Sequence, residues 1–313
     1  AIILTALRRS RGPALFPGPH PSLSLGAPFW PSGLTIRRSR PPTAAAELRA
    51  LCSTPLKECF LDRKLLKLPF RKNNSPDWVC PTCNKGILRI KEGTFHEEEL
   101  RNSREAHSHE AWEPEWIEYV YTCMLICSND KCKEVVVNSG TGSVDWDIVE
   151  DEHGVPDQVY EDFFRPKHFE PHLRLIHIPG DCPETVTALL NESFKLFFSS
   201  PSAAANNVRA AIEELLTELK IKRFSTSNGK RRFINLHQRI GLLPAKYAPF
   251  KDMILAIKWL GNAGSHGHGE VTMDDVMDAY ELTEHILQEI YEPKLKKLKD
   301  IAKKVNKKKG PAK

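Results

Sequence analysis

The sequence predicts an α+β chain in two modules, a small β ribbon followed by an all-α bundle of about four or five helices. Two observations carry this. Between residues 80 and 137 two pairs of cysteines each precede a strand-like run. From residue 184 to 291 apolar residues recur at three- and four-residue steps, the buried stripe of amphipathic helices. A length of 313 residues fits about two domains. No run of about 18 apolar residues exists, which excludes a membrane-spanning helix from the expectation.

The net charge of +5 is unevenly distributed. Residues 1–55 hold seven Arg against one Glu, and residues 294–313 hold ten Lys against one Asp, so the stretch between them is acidic. A nucleic-acid role must therefore rest on a tail or a local patch, not on a basic core face. Residues 1–55 have no acid before Glu47 and are crowded with Pro, Ser, Ala and Arg. Arg-rich, acid-poor starts resemble transit peptides, but the Pro density opposes the helix such peptides form. The expectation is a disordered extension, or a reading frame outside the native protein, without function.

Residues 56–149 form the first module. Cys80-Pro-Thr-Cys83 leads to Ile87–Ile90, Ile117–Ile126 leads to Cys127-Ser-Asn-Asp-Lys-Cys132, and Lys133–Val137 reads as a third strand. Cys-x₂-Cys followed by Cys-x₄-Cys on turns is the pattern of a zinc ribbon, because four thiolates close a tetrahedron around Zn²⁺. Cys80, Cys83, Cys127 and Cys132 are thus expected to hold a structural ion with no open position. A ribbon with so little core would draw much of its folding free energy from that ion. Cys123 is the one rival ligand, and its place within a strand run points to burial instead. Cys52, Cys59 and Cys182 share no paired spacing, which suits a reducing cytoplasm.

His96–Glu110 is rich in His and carboxylates and reads either as a second metal site or as a solvated charged insertion. Trp112, Trp116 and Trp146 could stack on bases or pack around the ribbon. Residues 150–183, rich in Pro, Asp and His, read as a connector. It is too apolar for a free linker, so the modules are expected to touch.

Residues 184–292 form the helical module. Leu189, Leu190, Phe194, Phe197 and Phe198 line one helix, and Val208, Ala211, Ile212, Leu215, Leu216 and Leu219 line the next. Phe224–Arg232 is a polar, basic, hairpin-like loop, and Leu236–Leu242 a short helix. Two further helices flank Lys258-Trp-Leu-Gly-Asn-Ala-Gly-Ser-His266. Residues 293–313 form a Lys-rich tail, either solubilising or a nucleic-acid contact. The segment Gly261–His266 has two readings. One is helix-end punctuation, with Asn262 and Ser265 bonding orphan backbone groups. The other is a small polar site in which His266 moves protons. Arg209 and Glu213, four apart, read as a surface pair.

Gly261-Asn262-x-x-Ser265-His266, with Pro179–Pro183 and Ser202–Glu213 upstream, resembles the HEPN superfamily of four-helix domains, in the branch filed as domain-of-unknown-function family 4145. The resemblance covers roughly residues 160–292. It implies an all-α HEPN-like bundle that pairs as a homodimer, with His-bearing sites near the two-fold. Many HEPN proteins are metal-independent ribonucleases using an Arg, a polar residue and a His. Here Gly261 stands where that Arg would be, and the nearest upstream cation is Lys258. The resemblance also offers Arg209 as the source of the missing charge.

Two function classes follow for a cytoplasmic protein. One is a non-catalytic binding or scaffolding module of a restriction-type defence or nucleic-acid-processing system, with a protein partner or RNA or DNA held by a patch or tail. The other is an endoribonuclease in which His266 is the general acid or base, Asn262 and Ser265 position phosphate, and Lys258 or Arg209 stabilises developing charge.

Overall fold

A computed structural model describes residues 61–150, 156–227, 229–266, 270–292 and 294–310. The chain divides into two units, Ala1–Pro55 and Leu56–Lys313, and every described residue belongs to the second. The expected disordered extension lies outside the described residues.

The first half is a sheet, not a small ribbon. After a short helix α1 (Arg63–Lys67) come β1 (Leu88–Ile90), β2 (His96–Glu99), α2 (Arg101–Ala106), β3 (Glu118–Cys127), β4 (Val135–Glu150) and β5 (Pro156–Glu170). The five strands form one antiparallel sheet in the order β1-β3-β4-β5, with β2 beside β1 on the same edge of β3. It curls into a half-barrel over residues 88–170. The fold class of a small β zinc ribbon followed by an all-α bundle is thus corrected to a mixed fold with a sheet-rich first half. The difference lies in β5, within the stretch read as a connector. Pro166 looks like a strand breaker, but β5 is an edge strand, where a missing N–H removes no ladder bond. A register shift at Ser139/Gly140 takes up the irregularity, with Ser139 opposite His168 and Gly140 opposite Pro166.

One face of the sheet is apolar. Tyr121, Cys123, Leu125 and Cys127 of β3 point inward together, as period-two alternation requires. Phe70, Phe95, Tyr121 and Phe164 pack ring to ring with centroids 4.8–6.4 Å apart. Gly142 has no room for a side chain, since a Cβ would lie 2.7 Å from the Phe164 ring. Asn138, fully buried, accepts the Tyr121 hydroxyl at 2.7 Å and donates to the His168 carbonyl at 2.9 Å, stitching three strands from inside. Beyond Ser143 the strands β4 and β5 pair only with each other and extend as a two-stranded arm.

The second half is helical: α3 (Glu184–Leu196), α4 (Pro201–Glu218), the hairpin β6 (Phe224–Ser227) and β7 (Lys230–Phe233), α5 (Leu236–Gly241), α6 (Lys251–His266), α7 (Met273–Tyr291) and α8 (Lys294–Lys308). Pro201 opens α4, where a missing N–H does no harm. Its Ala204, Ala205, Val208, Ala211, Ile212, Leu215 and Leu216 are buried, so α4 is the central helix, packed on α3, α6 and α7. Thr272 and Asp275 cap α7 reciprocally. The buried Ser193 hydroxyl joins three helices, donating to the Ala204 carbonyl at 2.8 Å and lying 2.8 Å from the Tyr280 hydroxyl.

The halves share one hydrophobic core. Phe169 of β5 meets Trp78 edge to face at 5.1 Å and packs at a tilt on Phe198 beyond α3 at 5.0 Å, and one buried cluster takes in residues from Leu61 to Leu287. Among the described residues no helix is long and apolar enough to cross a membrane. The Lys-rich tail is helical in α8, with Leu298, Ile301 and Val305 exposed.

Candidate metal centre and helical site

Two turns bring the four cysteines together. In the first, the Cys80 N–H donates to the Gly86 carbonyl at 2.8 Å and Asn84, at φ 53, turns the chain back after Cys83. In the second, the Cys127 N–H donates to the Glu134 carbonyl at 2.9 Å and Lys133, at φ 50, follows Cys132. Each turn thus places a left-handed residue directly after its second cysteine, a conformation that costs about 1–2 kcal/mol outside glycine. The turns are laced to each other: Ser128 N–H donates to the Ile87 carbonyl at 2.9 Å, and Ile87 N–H to the Ser128 hydroxyl at 3.0 Å.

Cys80, Cys83, Cys127 and Cys132 have their sulfurs within 4.8 Å of one another. Cys80 Sγ lies 3.9 Å from Cys132 Sγ, and Cys83 Sγ 3.7 Å from Cys127 Sγ. A tetrahedral ion with metal–sulfur bonds of about 2.3 Å needs sulfurs roughly 3.8 Å apart. The set fits. Further donors aim at the sulfurs: the Gly86 N–H at Cys83 (3.4 Å), the Asn129 N–H at Cys127 (3.4 Å) and the Asn129 amide at Cys83 (3.6 Å). The Gly86 N–H, foremost among these, draws the Cys83 thiol down to about 6, while burial pushes Cys127 up to about 12. Four adjacent thiolates require a cation to offset their mutual repulsion and desolvation. Gly86 is part of the cradle, for a Cβ there would stand 2.4 Å from Cys127 Sγ.

Gly86 and Asn129 escaped the reading by residue type because neither is a ligand. The signal was positional: each lies just after a cysteine, in the turn that presents its N–H to sulfur. Cys123 sits apart from the four, buried on the sheet's inner face beside the Asn138 amide oxygen, and desolvation pushes its thiol up to about 12. In His96–Glu110, Glu99 accepts from the Ser103 hydroxyl at 2.5 Å and contacts His107 at 2.8 Å, so its carboxyl is held below the usual range, chiefly by Ser103. Trp116 and Trp146 are exposed, and Trp112 lies 4.6 Å from the His107 ring.

The second candidate site lies on α6, which remains helical through His266. Helix-end punctuation at Gly261 is therefore not what the backbone does. Gly261 is buried against α4, where a Cβ would meet Arg209 Cβ at 2.6 Å and the Ala205 carbonyl at 3.0 Å. The glycine is a helix-crossing residue that lets two backbones approach. Arg209 covers it with its aliphatic stem. The Arg209 guanidinium is occupied within its own helix, ion-paired to Glu213 and donating to Asn206 at 3.0 and 3.2 Å. Lys258 lies over the exposed Trp259 ring, 3.3 Å from its centroid. Asn262 is half-buried, one residue beyond the crossing. The side chains of Ser265 and His266 lie outside the described residues.

Comparison with known families gives two matches. Residues 68–169 match a family described as Domain of unknown function (DUF8608), which spans most of the sheet. Residues 191–308 match one described as Domain of unknown function (DUF4145), which spans the helical half from within α3 to the end of α8. No curated protein and no solved structure matches the chain.

Proposed function

We propose that this chain is a non-catalytic binding or scaffolding module, stapled by a structural Zn²⁺ on Cys80, Cys83, Cys127 and Cys132 in a ribbon-like pair of turns. Its helical half is read as HEPN-like and its setting as a cytoplasmic restriction-type defence or nucleic-acid-processing system, in which it acts as a homodimer. The observation that carries the reading is the burial of Gly261. A ribonuclease of the HEPN type needs a cation at that position, and the α4–α6 crossing admits no side chain there. The two substitutes are engaged elsewhere: Arg209 is neutralised by Glu213, and Lys258 stacks on Trp259. Four thiolates leave the metal no open position for a substrate or water.

The test incubates the metal-replete full chain with structured and unstructured RNAs, beside His266→Ala. The expected result is no cleavage by either protein. Wild-type cleavage that disappears in His266→Ala, at unchanged helical content, overturns the reading in favour of an endoribonuclease.

A further inference from the structure

Between Glu218 and Asp252 the sequence holds nine Lys and Arg and no carboxylate, in a stretch that contains the β6–β7 hairpin. Ile221 and Ile234 are buried at the base of the hairpin, and the Ile234 N–H donates to the Arg223 carbonyl at 2.9 Å. The described side chains above that base lie outside the core. Lys222 to Thr226 and Lys230 to Phe233 are all exposed.

The register sorts the side chains into two faces. Phe224 pairs with Phe233 and Thr226 with Arg231, which places these four on one side, while Lys230 and Arg232 fall on the other. The two rings meet edge to face at 5.9 Å, and the Arg231 guanidinium lies 3.6 Å over Phe224. Phe233 is 57% exposed. Arg223 reaches Glu214 only at 4.0 Å, and Lys222, Lys230, Arg231 and Arg232 make no ion pair among the described residues.

An isolated two-stranded hairpin is marginal in water, and like charges crowded onto it weaken it further. A partner that fits must therefore supply negative charge and flat apolar surface together. An acidic peptide would neutralise the cations and leave the rings wet. A duplex offers phosphates and keeps its base faces stacked. A single strand offers both, since its bases are free to stack on aromatic rings while its phosphates meet Lys and Arg.

We propose that the β6–β7 hairpin binds single-stranded nucleic acid, with bases stacked at the exposed Phe233 beside the Arg231-covered Phe224 ring, and phosphates held by Arg231 on that face and by Lys222, Lys230 and Arg232 as the strand passes round the hairpin. The proposal rests on the reading of the chain as a binding module and gives that module its ligand class.

The test is fluorescence anisotropy on the full, metal-replete chain with labelled oligo(U), labelled oligo(dT) and a mixed-sequence duplex. Phe233→Ala weakens single-strand binding roughly tenfold and Phe233→Tyr restores it, as stacking requires. The pair Lys230→Glu with Arg232→Glu abolishes binding at physiological salt. Four neutralised phosphates give a log–log salt slope of about −3, which flattens in Arg231→Gln. The proposal fails if Phe233→Ala binds like wild type, or if the duplex is preferred. It also fails if binding is lost only when Lys303, Lys304, Lys307 and Lys308 of α8 are changed to Gln. RNA cleavage dependent on His266 would sink the non-catalytic reading and leave the hairpin data standing, so the two failures are distinguishable.

Discussion

Gly261 shows how one residue sets the approach of two helices. In an unconstrained helix, replacing glycine by alanine stabilises by about 1 kcal/mol through backbone entropy. Here the added methyl meets Arg209 Cβ at 2.6 Å, and neither helix can yield without moving the packed face of α4. Overpacking of this kind costs about 1–3 kcal/mol, so the clash outweighs the propensity gain. Gly261→Ala is expected to lower the unfolding free energy by about 1–2 kcal/mol in urea titration. A rise in stability would show that the crossing has slack, and with it room for a side chain. The steric role could not be read from the sequence, because it depends on which helix crosses at that point. The clustering of the four cysteines was legible for the opposite reason: each pair lies within one turn, so spacing alone places its two sulfurs together.

At the scale of elements, the least legible feature is Arg239, on the short helix α5. An arginine among polar neighbours reads as exposed, yet this one is 1% exposed and forms no ion pair with a carboxylate among the described residues. Its guanidinium donates to the Glu213 carbonyl at 2.8 Å, the Thr217 hydroxyl at 3.0 Å and the Ile221 carbonyl at 3.2 Å. These groups surround the C-terminal end of α4, where a cation meets the negative pole of the helix. Arg239 therefore locks α5, and with it the base of the basic hairpin, onto the central helix. Arg239→Met keeps the stem and leaves buried acceptors unpaired, which is expected to destabilise by about 2–4 kcal/mol. Proteolysis of the native chain should then cut first between Lys220 and Lys230; an unchanged cleavage pattern would mean the hairpin is anchored otherwise. Strand β5 was hidden by the same kind of conflict between local and tertiary signals. Its Pro, Asp and His content reads as connector, while the edge position and a bulge in β5 at Lys167 make the strand possible.

At the scale of the whole molecule, the continuous core changes what a metal ion on the four cysteines would stabilise. Two independent modules would unfold in two steps, with chelation affecting only the first. Phe169 and Trp78 join the cysteine-bearing turns to the helices through buried contacts. A chelator is therefore expected to lower a single cooperative transition seen alike by tryptophan fluorescence and by helical circular dichroism. Loss of one signal with the other intact would separate the halves. Structural four-thiolate sites contribute on the order of 10 kcal/mol in small domains, so an ion on these four sulfurs would decide whether this sheet persists.

The same edge that disguised β5 has a bearing on solubility. A curled sheet left open offers two rims to any strand that drifts past, and β-rich chains aggregate by that route. One rim here ends in β1 and β2, only three and four residues long. The other carries Pro166, which has no N–H to offer, and is partly covered where Phe70 exchanges hydrogen bonds with Phe164 at 2.8 and 2.9 Å. The curled body of the sheet is guarded on both rims, and the open edges left among the described residues are those of the β4–β5 arm, where the two strands pair only with each other.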